Sequence, residues 1–368
     1  MSVLSESPLQ AVRTAADEPT LDDKVRFLGN PASYGRGVTE VRTRETHMSW
    51  IFLAGERVYK LKKPVRFSYL DFSTLERRAA ACRAEQRLNR RLAPDTYLGV
   101  VPVTVSPAGL QIAGPGRIVD WLVEMKRLPD DETLDQALRD GSIEPGQLDR
   151  IAAKLEAFYA HVDRVTFSAD YEIAARHTAL RNDCQVLLNA RFRLPLGMIE
   201  RAVQAQRRFL AARGDLIVQR VRARQFVDAH GDLRPEHIWL TEPITIIDCL
   251  EFDAMLRASD PLDEVAFLHL ECERLGSRRA GERIRRRLAH TLREDPGSGL
   301  FEFYRSRRAM LRARLSIAHL FDAAPRTPEK WPRLARAYLA LAAADAARLE
   351  HLLGDHRPRS RWRCLRTP

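Results

Sequence analysis

Two aspartates and a histidine stand close together around one short turn in the second half of the sequence. Asp232 lies in the segment AHGDLRPEHIWL, and Asp248 ends the segment ITIID. An antiparallel hairpin centred between residues 242 and 243 would place His237 opposite Asp248, one loop away from Asp232. Phosphoryl transfer needs such carboxylates, since one orients and deprotonates the acceptor and the other holds a charge-neutralising metal ion. The pattern therefore indicates phosphoryl transfer, with an ordinary hairpin whose loop aspartate makes an Asx-turn as the structural alternative.

A second feature that fits phosphate chemistry lies earlier in the chain. Lys60 and Lys62 alternate with Tyr59 and Leu61 in ERVYKLKK, so a strand here places both ammonium groups on one face. Glu85 follows on a predicted helix. A strand lysine held by a helix glutamate is how a kinase fixes the cation that grips the α- and β-phosphates of its nucleotide. Strand lysines also protect sheet edges, which is the alternative interpretation.

The elements that must position these residues change character along the chain. Short strands are predicted at VTEVRTRET, SWIFLAG, ERVYKLKK, VVPVTVS and RIVDWLVEM. One helix, STLERRAAACRAEQRLNRRL, interrupts them, with Ser73 or Thr74 as its N-cap. After about residue 129 the pattern is helical, apart from a strand-rich island at RQFVDAHGDLRPEHIWLTEPITIIDCLEF. The predicted fold class is α+β, with a small β-rich lobe that carries one helix and a larger, mainly helical lobe.

These changes predict four segments. Residues 1–37 form an N-terminal lead-in, and residues 38–128 form the β-rich, nucleotide-binding N-lobe. Residues 129–353 form the C-lobe, which carries the catalytic loop and a helical acceptor-binding region. Residues 354–368 form a basic, mobile tail.

Composition narrows the class of protein. The formal net charge is +11, but the arginines lie mostly in helical stretches without interleaved aromatic residues, so a solvated face is favoured over a nucleic-acid surface. The five cysteines are scattered, which favours a reducing compartment. No apolar run approaches the ~20 residues of a membrane span, and the N-terminus lacks the apolar region of a signal peptide. We therefore expect a cytoplasmic protein without a membrane partner.

The motif HGDLRPEHIWL, followed by IIDCLEFD, resembles the aminoglycoside phosphotransferase and choline kinase branch of the protein-kinase-like fold. The resemblance spans roughly residues 40–345 and implies a two-lobed kinase-like fold. More narrowly, ETHMSWIFLAGERVYKLKKPV, YLDFSTLE, EQRLNRRLAPDTYLGVVPV and AHGDLRPEHIWL resemble uncharacterised bacterial phosphotransferase-like domains. Those domains are sometimes fused to a P-loop ATPase half, and this sequence contains no GxxxxGK[ST] motif.

The resemblance implies a role for each residue of the two clusters. Asp232 becomes the catalytic base, and His230 supports the catalytic loop through hydrogen bonds. Asp248 becomes the magnesium ligand. Lys60 becomes the lysine that grips the nucleotide phosphates, with Lys62 as the alternative in the same register and Glu85 as the partner. The implied cofactors are ATP or GTP and Mg2+, with Mn2+ as an alternative ion.

The resemblance also implies further nucleotide contacts. Thr46, His47 and Ser49 lie where a phosphate-covering loop is expected, although no GxGxxG motif occurs. The segment WLVEMKRLP would supply the hinge, with the backbone around Met125, Arg127 and Leu128 bonding adenine.

This sequence departs from the family pattern at the second metal ligand. The family usually has asparagine where this chain has His237, and an imidazole suits softer metals than magnesium. Either His237 still binds, with a preference for manganese, or the second metal site is weakened and the reaction runs with one ion.

Three functions remain open on these residues. The first is a small-molecule kinase that uses ATP or GTP, with an unidentified acceptor. The second is a catalytically weak, pseudokinase-like nucleotide-binding regulator that acts with a partner P-loop ATPase. The third is a metal-dependent phosphohydrolase with His230, Asp232, His237 and Asp248 as ligands. Of these three functions, we expect the small-molecule kinase.

Three further aspartates follow the metal loop: Asp253, Asp260 and Asp263. Asp260 and Asp263 are expected to form turns and to cap the helix DEVAFLHLECERL. For Asp253 the alternative stays open that it forms part of an acidic rim for a cationic acceptor.

Overall fold

The structure, a computed structural model, describes residues 18–67, 70–322, 325 and 327–354. The chain divides into a first unit, which runs through Arg90 and includes Pro94–Arg127, and a second unit of Arg91–Ala93 and the chain from Leu128 onward. The predicted basic tail beyond Gly354 and the first 17 residues of the predicted lead-in lie outside the described residues. The predicted lobe boundaries remain predictions.

A six-stranded antiparallel sheet forms most of the first unit, with strand order β1-β2-β3-β8-β6-β7. Alternating apolar residues pack one face of this sheet over a core around Phe52, Leu61 and Leu122. The strands are β1 Val41–Glu45, β2 Ser49–Ala54, β3 Arg57–Lys62, the short pair β4 Arg66–Phe67 and β5 Leu70–Asp71, β6 Tyr97–Ser106, β7 Gly109–Ile112 and β8 Arg117–Lys126.

Two helices belong to this unit, α1 Leu21–Leu28 and α2 Leu75–Asn89. The hydroxyl of Thr74 caps α2 by accepting a hydrogen bond from the amide of Arg77 at 3.3 Å, as one of the two predicted caps requires. Asp120 of β8 fixes both helices, because its buried carboxylate accepts from Lys24 of α1 and Arg78 of α2, each at 2.8 Å. Helix α2, which carries Glu85, is therefore held firmly on the sheet.

Helices form most of the second unit and enclose one large apolar core. They are α3 Leu134–Asp140, α4 Pro145–His161, α5 Ala169–Leu187, α6 Leu196–Arg222, α7 Ala254–Arg257, α8 Pro261–Arg274, α9 Arg278–Leu292, α10 Leu300–Ala318 and α11 Lys330–Leu352. The predicted α+β class is confirmed.

The predicted strand-rich island forms two small antiparallel sheets between α6 and α8. In one, β9 Val227–Asp228 pairs with β12 Ala258–Ser259; in the other, β10 Ile238–Trp239 pairs with β11 Thr245–Ile246. A short 3₁₀ turn over Pro235–His237 leads into β10. These short strands hold the loop of Asp232.

The predicted hairpin register is wrong by one residue. Ile238 pairs with Ile246, so Ile247, and not Asp248, takes the position opposite His237; the amide of Ile247 donates to the His237 carbonyl at 3.0 Å. The physical reason is that the connecting loop, 240–244, holds an odd number of residues and is therefore centred on a residue instead of between two.

No helix within the described part of the chain is both long and apolar enough to cross a lipid bilayer. The cytoplasmic location remains a prediction.

Candidate functional site

Two lysines and one glutamate meet on the sheet of the first unit. Lys60 and Lys62 project from the same face of β3, and each contacts a different oxygen of Glu85 on α2. The distances are 2.8 Å from Lys60 Nζ to Oε1 and 2.6 Å from Lys62 Nζ to Oε2. One carboxylate is thus shared by two ammonium groups.

The two lysines differ in how far solvent reaches them. The side chain of Lys60 is 15% exposed, whereas that of Lys62 is 1% exposed and lies 4.9 Å from the centre of the Phe72 ring. Lys62 is therefore built into the core as the buried partner of Glu85. Lys60 is the lysine that a soluble anion can reach.

The turn between β1 and β2 carries the residues predicted to cover phosphates. The Thr46 hydroxyl accepts a hydrogen bond from the Ser49 amide at 2.9 Å, and Ser49 itself is buried. The ring of His47 stacks on Phe67 with a centroid distance of 4.8 Å. Thr46 and His47 are exposed, so they are the two of the three that solvent reaches.

The predicted hinge follows the end of β8. Met125 pairs with Val58 on one side and Tyr97 on the other. The Arg127 amide donates to the carbonyl of Glu56 at 2.9 Å. Within the first unit this amide is already used, so an adenine contact by Met125, Arg127 or Leu128 remains a prediction that depends on other backbone groups of this segment.

In the second unit, the loop of Asp232 turns at Gly231. Gly231 has φ +86°, a conformation that side-chain-bearing residues rarely adopt. An added Cβ would also lie 3.0 Å from Leu250 Cδ1. The amide of Gly231 donates to the buried carboxylate of Glu264 at 2.7 Å, and Tyr159 donates to the other oxygen at 2.8 Å. Glu264 of α8 therefore anchors the turn from below.

His230 supports the same loop. Its ring is fully buried, and Nε2 lies 2.9 Å from the carbonyl of Ile247. Because a carbonyl only accepts, Nε2 carries the proton, and Nδ1 accepts from the Asp232 amide at 3.3 Å. Burial lowers the pKa of His230 to about 4. Both ring nitrogens are used in a neutral imidazole, an arrangement suited to support and not to proton transfer.

Arg234 is the closest partner of the Asp232 side chain. Its Nη2 lies 2.8 Å and its Nε 3.0 Å from the same oxygen, Oδ2. Burial raises the pKa of Asp232, but the positive charges of Arg234 and Arg312 lower it by more, so the net pKa is below the ordinary value. The Asp232 side chain, 23% exposed, is therefore an ionised carboxylate that solvent still reaches.

His237 connects Asp232 with Asp248. Its Nδ1 lies 2.9 Å from the carbonyl oxygen of Asp232 and must donate, so Nε2 is the acceptor. Nε2 takes a hydrogen bond from Arg234 at 3.1 Å and lies 3.5 Å from Oδ2 of Asp248. The two aspartates thus flank one imidazole, even though the hairpin register differs from the expected one.

Asp248 has an unusual backbone for a residue with a side chain. Its φ is +65°, a left-handed conformation that aspartate and asparagine tolerate better than most residues, and its side chain is 47% exposed. Left-handed residues outside glycine are enriched at functional sites. The loop therefore presents this carboxylate to solvent.

A magnesium ion held by Asp248 suits this site better than a metal ion held by several protein side chains. Among the residues that the structure describes, no three His, Cys, Asp or Glu side chains are grouped to hold a metal. His230 uses both nitrogens, which is against the phosphohydrolase with four protein ligands. Magnesium prefers oxygen and is commonly held by one or two carboxylates together with nucleotide phosphates, so Asp248 suits it.

The three aspartates after the metal loop serve the fold. Asp253 and Asp260 cap α7 and α8 by accepting from the amides of Met255 and Leu262. Asp263 is buried and bonded to Arg176 and Arg308. Asp260 and Asp263 are buried and paired, which leaves no acidic rim at these two positions; Asp253 is occupied as a cap.

Two residues that contact the Asp232 loop, Arg234 and Glu264, were not predicted from the sequence. The signal for Arg234 was its place two residues after Asp232 in HGDLRPEH, where a long side chain can turn back onto the carboxylate. Glu264 lies in DPLDEVAFL, one residue after the expected helix-starting aspartate Asp263. Nothing in the sequence distinguishes its buried, loop-facing position from a solvated one.

No family model matches the chain. Uncharacterized proteins of Mycobacterium tuberculosis and Mycobacterium bovis are 31% identical over 289 residues, which is 77% of this chain and 56% of each relative. The chain therefore spans little more than half the length of the curated relatives it matches.

Two solved structures decide the fold. A choline/ethanolamine kinase family protein from Mesorhizobium loti has a TM-score of 0.52 at 15% identity and covers 89% of this chain and 99% of its own. A thermostable mutant of aminoglycoside phosphotransferase APH(4)-Ia, in its apo form, has a TM-score of 0.51 at 14% identity. The match covers 88% of this chain and 99% of the phosphotransferase. This chain has their kinase-like fold. The resemblance expected from the sequence is thus confirmed at the level of the fold. The narrower bacterial subgroup remains a prediction.

Proposed function

We propose that this kinase-like chain transfers the γ-phosphoryl group of ATP or GTP to a hydroxyl group of a small molecule. Asp232 acts as the base, and Asp248 holds the divalent ion. Lys60, positioned by Glu85, grips the nucleotide phosphates, while Lys62 keeps Glu85 in place.

The observation that carries the proposal is the state of the Asp232 carboxylate. Arg234 occupies Oδ2 alone, and within the described residues no group donates a hydrogen bond to Oδ1. The backbone on both sides is fixed by His230 and by Glu264. An ionised oxygen on a rigid, solvent-accessible loop is the arrangement that a hydroxyl acceptor requires.

Phosphoryl transfer does not require Asp232 to be a strong base. In a loose phosphoryl-transfer transition state the acceptor proton leaves late, so the carboxylate mainly orients the hydroxyl and then takes its proton. A pKa below the ordinary value therefore suits this role, because Asp232 is ionised before the acceptor arrives. His230 maintains the loop and exchanges no proton.

The nucleotide side of the proposal uses two groups of opposite charge. Lys60 reaches solvent beside a carboxylate that also neutralises Lys62, so its ammonium group stays charged and fixed. Asp248 would hold Mg2+ or Mn2+, and the ion, when bound, neutralises charge that develops on the phosphates.

A nucleotide-binding regulator is the second candidate, favoured by two observations. Arg234 pairs with the proposed base, and His237 stands where the resemblance implies asparagine. A regulator would bind nucleotide without transferring phosphate, with a separate P-loop ATPase as partner.

A screen of acceptors tests the proposal. The full chain is incubated with ATP or GTP, with Mg2+ or Mn2+, and with amino sugars, simple sugars, amino alcohols and peptides in turn, and nucleotide consumption is measured. Equilibrium nucleotide binding is measured in parallel. We expect consumption that depends on one acceptor class and on metal. Binding without consumption across all acceptors would favour the regulator, and absence of binding would contradict both.

A further inference from the structure

Arg234 contacts more of the catalytic loop than an ion pair with one carboxylate requires. Its Nη2 and Nε contact Oδ2 of Asp232, its Nη1 lies 2.5 Å from Oε1 of Glu236, and its Nη2 donates to Nε2 of His237 at 3.1 Å. The side chain is 17% exposed, so the guanidinium is enclosed among these three acceptors.

These acceptors are the kinds of atoms that a divalent ion would use. Carboxylate oxygens and an unprotonated imidazole nitrogen are common metal ligands. The Nε2 atom of His237 has a single lone pair, however, and Arg234 already takes it. A guanidinium and a metal ion also repel each other. A second ion at His237 therefore does not fit the residues present.

Part of the positive charge that a second ion would bring is nevertheless in place. Arginine stays protonated throughout the physiological range, and this one lies against the proposed base and beside the residue that replaces the expected asparagine. Asp248, in contrast, is 47% exposed, and its Oδ2 is 3.5 Å from Nε2 of His237. One divalent ion at Asp248 and one guanidinium at Arg234 would together supply most, though not all, of the positive charge of a site with two ions.

We infer that the guanidinium of Arg234 is the built-in second cation of the phosphoryl-transfer site, and that the protein binds one divalent ion with its nucleotide. This inference rests on the proposed function. It assigns His237 a positioning role: its imidazole is held by the Asp232 carbonyl and orients Arg234, and it is not a metal ligand. Arg234 in turn fixes Oδ2 of Asp232, which turns Oδ1 toward the acceptor.

Metal stoichiometry tests this directly. Mn2+ is titrated into the full chain saturated with a non-hydrolysable nucleotide, and bound Mn2+ is counted by electron paramagnetic resonance. We expect one ion per bound nucleotide in the wild type. The double variant Arg234→Gln with His237→Asn removes the guanidinium and restores a carboxamide oxygen, so we expect a second ion with an affinity at least about tenfold above its affinity for the wild type.

Two single variants make the test specific. Arg234→Lys keeps a positive charge and is expected to keep one ion. Arg287→Gln, an arginine of α9 with a side chain 62% exposed, controls for the loss of any one cation and is also expected to keep one. A cooperative thermal unfolding transition for each variant shows that the variant is folded. If the double variant does not fold, the number of ions bound by the wild type still tests the inference.

Each outcome bears on a different claim. Two ions per nucleotide in the wild type would overturn the inference but leave the proposed function standing. One ion in both the wild type and a folded double variant would also overturn it. If the wild type bound no nucleotide under any metal condition, the inference and the proposed function would fail together.

Discussion

The lysine cluster of the first unit and the aspartate cluster of the second differ in how far solvent reaches their side chains. In the first, two ammonium groups share the single carboxylate of Glu85, and Glu85 and Lys62 are each 1% exposed at the side chain. In the second, one guanidinium, that of Arg234, is shared by Asp232 and Glu236, whose side chains are 23% and 35% exposed. The first cluster is the more buried of the two, and the second is partly solvated.

This difference separates residues that hold the fold from residues placed to meet a ligand. A buried ion pair that loses one partner leaves an uncompensated charge in the core, which costs stability. A partly solvated carboxylate can be altered with little structural cost because water replaces its partners. Lys62 and Glu85 belong to the first kind, Asp232 and Asp248 to the second, and Lys60 lies between them.

The largest effect on stability is expected for Lys62→Met. Glu85 would lose the more buried of its two lysine partners, so we expect a loss of about 3 kcal/mol in the free energy of unfolding, measured by urea denaturation. The matched variant Lys60→Met removes the more exposed lysine. It should cost under about 1 kcal/mol of stability but weaken nucleotide binding roughly tenfold. The reverse pattern would show that Lys62 is the lysine that meets the nucleotide.

The second prediction moves to the exposed carboxylate of the other cluster. Asp248→Asn keeps a residue that tolerates the left-handed backbone but removes the charge that holds the ion. We expect nucleotide affinity in Mg2+ to fall by about 3 kcal/mol, roughly 100-fold, by calorimetry. Affinity in the presence of EDTA is the control and should not change. An equal loss with and without metal would assign Asp248 a structural role.

A third prediction concerns the pH dependence of stability that a buried histidine of the second unit causes. His269 of α8 is 1% exposed, and burial together with the adjacent Arg305 lowers its pKa to about 2. Between pH 6.5 and pH 4 the unfolded chain therefore binds a proton that the folded chain does not. The free energy of unfolding should fall on acidification by about 1.4 kcal/mol per pH unit from this group.

The variant His269→Asn, compared with His177→Asn on the exposed face of α5, isolates that contribution. Denaturant unfolding at pH 7, 6 and 5 should show a shallower pH dependence for His269→Asn and an unchanged one for His177→Asn. If both variants kept the wild-type slope, His269 would titrate normally and burial would not be the cause.

The smallest expected effect concerns the helix that carries Glu85. Thr74→Ala removes the hydroxyl that caps α2, which should cost about 1 kcal/mol of stability by thermal or urea unfolding. Thr133 has the same position on α3, but its side chain makes no capping hydrogen bond, so Thr133→Ala is a matched control with little expected change. Equal losses in the two variants would mean that the capping bond is not the source.

Periodicity explains why the elements could be predicted from the sequence. The alternation in ERVYKLKK and the capped, helical pattern from Thr74 specify local geometry, so the shared face of Lys60 and Lys62 and the helix of Glu85 follow directly. The register of the hairpin did not follow, because it depends on the centre of the loop 240–244, which local propensity does not fix.

The side-chain pairing around Asp232 could be predicted only in part. The family resemblance implied the support by His230, and the structure shows its ring bonded to the Asp232 amide and to the Ile247 carbonyl. The sequence did not indicate that Arg234 would turn back onto Oδ2, or that Glu264, far along the chain, would accept the Gly231 amide. Such contacts depend on how α8 packs beneath the loop, and a residue's type alone leaves that open.

Transfer of a labelled γ-phosphoryl group tests the central claim most directly. The wild type and Asp232→Asn are each given γ-labelled nucleotide, Mg2+ and the acceptor found by screening, and label on the acceptor is followed with time. We expect the wild type to transfer label and the variant to transfer it about 10²–10⁴-fold more slowly, with nucleotide affinity preserved. Equal rates in the two proteins would contradict the assignment of Asp232 as the base.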